Sequence, residues 1–97
     1  MKVKEMSRKA RAFVLLAVDL GKEEKVMEKL LKFDEVKEAH VIPGEKDLMI
    51  VLETEREIIV PNSTRISDFV TNKIARIPGV LDTETILPTK SKIKSPE

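Results

Sequence analysis

Arg11-Ala12-Phe13-Val14-Leu15-Leu16-Ala17-Val18-Asp19 decides how this chain folds. The run is apolar between charged ends, and it is too short for a lone helix of ordinary length. It suits a strand with apolar side chains on both faces. Successive side chains of a strand point to opposite sides, so Phe13, Leu15 and Ala17 share one face. Ala12, Val14, Leu16 and Val18 share the other.

Downstream, Gly21 breaks the strand and Lys22 to Phe33 reads as a helix. Glu23 and Glu24 sit in its first turn and Lys29 and Lys32 near its end, each sign matching the helix dipole. Val26, Met27, Leu30 and Leu31 form its apolar side. Val36 to Ile42 alternates, with Val36, Glu38, His40 and Ile42 expected on one face and Lys37, Ala39 and Val41 on the other. Pro43-Gly44-Glu45-Lys46-Asp47 is a tight turn in which Gly44 takes the positive φ. Leu48 to Leu52 completes a hairpin. In Glu53 to Pro61, Ile58-Ile59-Val60 could extend or restart an edge strand before Pro61 stops it. Ser63 or Thr64 can cap a second helix, in which Ile66, Phe69, Val70, Ile74 and Ile77 recur at helical spacing. Pro78-Gly79 ends that helix, and Val80 to Leu87 is a last strand stopped by Pro88.

The expected order is therefore strand, helix, strand, strand, helix, strand. Right-handed crossovers place both helices on one face of an antiparallel four-stranded sheet. This is an α+β, ferredoxin-like βαββαβ fold. The two helices shelter one face only. In a monomer the other face should then be polar, yet Phe13, Leu15 and Ala17 or their opposite numbers must lie on it, together with alternate residues of Leu48 to Leu52. Each buried Leu, Ile or Val contributes ~1.5–3 kcal/mol, so several together outweigh the cost of association. The expectation is a homodimer through the open sheet face, as in dimeric α/β-barrel-like assemblies. The alternative is a face covered by the N-terminal segment and the 53–62 loop of the same chain.

Composition narrows the function classes. The chain of 97 residues is one domain's worth and has no cysteine, so neither a disulfide framework nor a thiolate metal site is available. No signal peptide and no membrane span are expected, which gives a cytoplasmic reading by default. Charge is nearly balanced at +1 but segregated. Residues 1–11 carry Lys2, Lys4, Arg8, Lys9 and Arg11 against Glu5, and residues 90–97 carry Lys90, Lys92 and Lys94 against Glu97. Ten basic and fifteen acidic residues remain in between. An acidic body repels phosphate, and short basic ends usually stay solvated, so no direct DNA binding is expected. Abundant Lys and Glu without any Gln lean toward a thermophilic source. Residues 1–10 and 89–97 read as basic tails around a domain at 11–88.

Several stretches resemble a known family: Gly21 to Val26 opening a helix, Val36 to Val41, Gly44 to Leu48, Ile74 to Val80, and Thr83-Glu84-Thr85. In joint order and spacing, over about residues 11–88, they are similar to the C-terminal effector-binding (RAM) domain of Lrp/AsnC transcriptional regulators. The resemblance implies sheet-to-sheet dimers, rings of dimers, and a small effector, typically an amino acid, bound between dimers. It also implies a stand-alone sensing module without the family's helix-turn-helix domain, which could associate with full-length regulators. The family turn Gly-x-x-Asp matches Gly44 and Asp47, with Glu45 inside it. Lys46 stands where the family often carries an aromatic residue.

The resemblance implies a ligand role for Gly44, Glu45, Asp47, Thr83 and Thr85. Free turn amides could hold an α-carboxylate while Asp47 pairs with an α-ammonium. The same residues also suit plain structure, since Asp often bonds turn amides and Thr suits strands. His40, the single histidine, reads as a surface or interface residue. No catalytic residue, metal ligand set or cofactor motif stands out. Without Tyr or Trp the sheet lacks the stacking platform of RNA-recognition domains. The readings left are an effector-sensing module, an enzyme of the dimeric α/β-barrel kind using His40 with a carboxylate, and a ligand-free interaction domain.

Overall fold

The structure, a computed structural model, describes residues 3–5, 9–55, 62–88 and 92–94. Its elements are β1 (Val3–Glu5), β2 (Lys9–Val18), α1 (Glu23–Leu30), β3 (Val36–Val41), β4 (Leu48–Glu55), α2 (Asn62–Phe69), β5 (Val80–Ile86) and β6 (Lys92–Lys94). β2 to β5 form one antiparallel sheet in the order β3-β4-β2-β5. That is the split βαβ arrangement, with the decisive apolar strand in the interior.

The core follows from the alternation of β2. Ala12, Val14, Leu16 and Val18 are buried on one face. They meet Leu48, Ile50 and Leu52 of β4, Val26 and Leu30 of α1, and Ile66, Val70, Ile74 and Ile77 of the second helical segment. Both helices thus cover the same face. Phe33, in the turn after α1, and Phe69, the last residue of α2, meet edge-on at 5.5 Å and pack against the core. The second helix widens after Phe69. Residues Val70–Ile74 form a π turn that closes with the Ala75 N–H donating to the Val70 carbonyl at 2.8 Å. Gly79 then needs its φ of +101°. A Cβ there would sit 3.2 Å from Lys22 Cδ and 3.3 Å from Val26 Cγ2, so glycine lets α1 close on the start of β5.

Three expectations change. β3 does not hold one phase. Val36 pairs with Leu52 and Glu38 with Val51, which leaves Lys37 as a bulge. Val36 therefore faces the helices, while Glu38 and His40 face the open side with Val51 and Met49. β4 runs on to Glu55 because Lys9, Ala10 and Arg11 of β2 continue the ladder beside it. The segments read as basic tails hold paired strands. β1 and β6 form an antiparallel ladder, Val3 opposite Lys94 and Glu5 opposite Lys92. Three-residue strands so far apart in sequence carry too little pattern to show before pairing. The Ile58-Ile59-Val60 strand and the stop at Pro61 lie outside the described residues.

No helix among the described residues is long and apolar enough to cross a membrane.

Candidate functional site

The hairpin turn after β3 lies at the end of the sheet where β2 finishes and β5 begins. Ile42 donates to the Asp47 carbonyl at 2.9 Å, and the Asp47 N–H donates to the Leu16 carbonyl at 2.8 Å. The carboxylate of Asp47 accepts the Val18 N–H at 2.8 Å. Val18 sits at a bulge, where β5 skips Leu81 to pair Val80 with Val18 and Asp82 with Ala17. On its other side the ladder with β4 ends at Leu16 opposite Leu48, so the Asp47 side chain supplies the acceptor for the next β2 amide facing that way. Its observed contact is therefore structural.

The turn tip is open. Gly44 has φ +116°, as the turn requires, and nothing stands within 4 Å of where its Cβ would be. Glu45 beside it is exposed. Lys46 reaches across the end of β2, with Nζ 3.5 Å from Asp82 Oδ2. The other carboxylate oxygen of Asp82 accepts the Thr83 N–H at 2.9 Å. Thr83 and Thr85 stand in register with Leu16 and Val14, on the helix-covered face of the edge strand, and both are half-buried. Thr83 lines a shallow depression of about 160 Å³ with Ala75, Val80, Leu81 and Asp82. Thus Thr83 borders the depression, and Lys46 of the turn reaches its neighbour Asp82. Gly44, Glu45 and Thr85 are not among its lining residues.

Lys46 and Asp82 were not candidates in the sequence. Their 36-residue separation offers no periodicity, and only the strand order brings them together. His40 is elsewhere, half-exposed on the open face with Nε2 2.8 Å from Glu38 Oε1. Among the described residues, no group of three or more His, Asp or Glu could hold a metal ion.

Asp47 separates the structural role from the ligand role by substitution. Asp47→Ala leaves the Val18 N–H without an acceptor and should cost ~1–3 kcal/mol. Asp47→Asn keeps an oxygen acceptor and should retain most of that stability. Urea unfolding of the two variants measures the difference. An Ala variant as stable as the parent would remove the structural role.

The opposite face of the sheet is apolar at its centre, and among the described residues no helix lies on it. Phe13, Leu15 and Ala17 of β2 lie beside Met49 and Val51 of β4; Val51 is buried and the other four are half-buried. Arg11 edges it, 5.8 Å above the Phe13 ring and 3.9 Å from Glu53 Oε2. Ile86 of β5, opposite Phe13, is exposed.

A family model described as the Lrp/AsnC ligand binding domain matches residues 11–97. The HTH-type transcriptional regulator FL11 of Pyrococcus abyssi is 30% identical over 86 residues, spanning 89% of this chain and 52% of that protein. The chain thus spans about half the length of the curated relatives it matches. The Pyrococcus source of these relatives fits the Lys- and Glu-rich, glutamine-free composition. Among solved structures, FFRP-DM1 is 39% identical with a TM-score of 0.69, over 81% of this chain and 97% of that one. The protein PHS023 of Pyrococcus horikoshii is also 39% identical, with a TM-score of 0.68 over 81% of this chain and 88% of that one. AsnC of E. coli, 20% identical, shares the fold with a TM-score of 0.75 over 91% of this chain and 56% of that one. With its sequence order, its sheet and its covered face accounted for, the chain belongs to the Lrp/AsnC ligand-binding domain family.

Proposed function

We propose that this domain is an effector sensor in transcription regulation. It pairs through its open sheet face, binds a small molecule, an amino acid first among candidates, where subunits meet, and acts without catalysis. The observation that carries the reading is the half-buried apolar patch of Phe13, Leu15, Ala17 and Met49 around the buried Val51, on the face that no helix covers among the described residues. Such a patch on a small domain is an interface. Among the described residues of one subunit, the depression beside Asp82 and Thr83 has a volume of about 160 Å³. Ligand pockets are usually ~300–1,000 Å³, larger than this depression, and a second subunit against the open face would add walls to it. Gly44, Glu45, Asp47, Thr83 and Thr85 stay its candidate residues. Further association into rings of dimers, pairing with full-length regulators and a cytoplasmic place of action belong to the same reading.

Binding at a shared interface couples ligand to assembly. A thermal-shift screen of the twenty amino acids tests this. At a hundredfold excess over Kd a true effector adds ~2.7 kcal/mol, a Tm rise of roughly 10–20 °C for a domain of this size. Light scattering on the same samples should show a dimer or a multiple of it. No shift with any amino acid at millimolar concentration would rule out that ligand class. The enzyme alternative gains nothing from the geometry, since His40 and Glu38 lie on the open face and line no part of the depression.

A further inference from the structure

We propose that β1 and β6 form a basic two-stranded ribbon that binds duplex DNA in the major groove. This activity is separate from effector sensing. The expectation of no direct DNA contact took the two ends as independent solvated extensions. The structure pairs them instead: Val3 opposite Lys94, Lys4 opposite Ile93 and Glu5 opposite Lys92, in a ladder apart from the main sheet. Pairing concentrates charge. Lys4 lies within β1 and Lys92 and Lys94 within β6, and in the sequence Lys2, Arg8, Lys9 and Lys90 stand within a few residues of them. Glu5 and Glu97 are the acidic residues of these two stretches. Lys92 and Lys94 are exposed.

The shape and the charge both point to the same occupant. A B-form major groove, ~12 Å wide, admits a two-stranded antiparallel ribbon. Each Lys or Arg set against a phosphate releases condensed counterions, which drives sequence-independent binding. The acidic remainder of the chain opposes this, but charges beyond ~8 Å are largely screened at physiological salt. Charges on the ribbon itself therefore dominate over the body's average. If about four basic side chains per ribbon reach phosphates, affinity falls roughly a hundredfold between about 50 and 200 mM salt.

The test is fluorescence anisotropy of a labelled DNA duplex about two turns long, titrated with the full chain at both salt concentrations. The parent should bind at low salt in the micromolar range and show that salt dependence. Lys92→Glu/Lys94→Glu should weaken binding at least tenfold. That variant also sets a carboxylate opposite Glu5, so Lys92→Gln/Lys94→Gln is made beside it and should show an intermediate loss with the ribbon's register undisturbed. Lys29→Glu/Lys32→Glu, on and just after α1, changes the net charge by the same amount and should leave binding within about threefold. No binding at low salt overturns the proposal. So does equal weakening by the α1 pair, which would reduce the effect to net charge. Equal or tighter binding to duplex RNA, whose deep and narrow major groove excludes a ribbon, overturns it as well. Capture by anionic lipid vesicles without capture by DNA does the same.

Discussion

Leu15→Glu is expected to turn the protein into a folded monomer. Leu15 lies at the centre of the open face, in register with Met49 on β4 and Glu84 on β5. It is half-buried within the single subunit, so a carboxylate there can still reach water and the fold survives. In a two-fold pairing the substitution appears twice, close to itself, beside Glu84 and without a cation in register. Burying an unpaired charge costs several kcal/mol, and like charges across an interface add to it. Dimerisation should weaken at least a thousandfold, about 4 kcal/mol. Light scattering over a concentration series reads the change, with circular dichroism showing an unchanged fold. Leu31→Glu is the control. Leu31 is an exposed leucine beyond α1 and off the open face, and its substitution should leave the oligomer alone. A Leu15→Glu protein that remains dimeric would show that pairing uses another surface. The effector-induced thermal shift should disappear along with the dimer, because the partner's share of the proposed site leaves with it.

The parts of the fold that were legible share one property: their burial pattern is local. The two faces of β2 alternate residue by residue, and the helix after Asn62 repeats Ile66, Val70, Ile74 and Ile77 on one side. Both follow from a fixed period and need no knowledge of neighbours. The bulge at Lys37 was not legible, because nothing in Val36-Lys37-Glu38 marks an extra residue. The partner strand alone sets the phase, placing Leu52 and Val51 against Val36 and Glu38. The ladder of β1 with β6 and the contact of Lys46 with Asp82 fail for the same reason. They depend on which ends the topology brings together. Asp47 is an intermediate case. Its place after a Gly-bearing turn announced that it would bond a backbone amide, and the amide it bonds is that of Val18, 29 residues away. The sequence could name the residue but not the partner, and a structural contact and a ligand contact leave the same trace there.

Leu16→Ala should be the most damaging single truncation, and its comparison with Leu15 tests the two-faced reading of β2 directly. Leu16 is fully buried. It stands in register with Leu48 and Thr83, so it joins β4 to β5 beneath the helices. Removing its isobutyl group loses transfer free energy and leaves a void that a β-sheet interior cannot close, ~2–5 kcal/mol in comparable cores. A domain of this size has ~5–15 kcal/mol in total, so the loss is a large fraction of its stability. The Tm should fall by roughly 10–20 °C. In a dimer, melting also reports association and depends on concentration. The measurement is therefore best made in the Leu15→Glu background, where unfolding is that of one subunit. Neighbouring residues on a strand point to opposite faces, so the same loss should appear with and without the interface. A small loss in the monomeric background, against a large one in the parent, would place Leu16 at the subunit contact and reverse the assignment of the two faces.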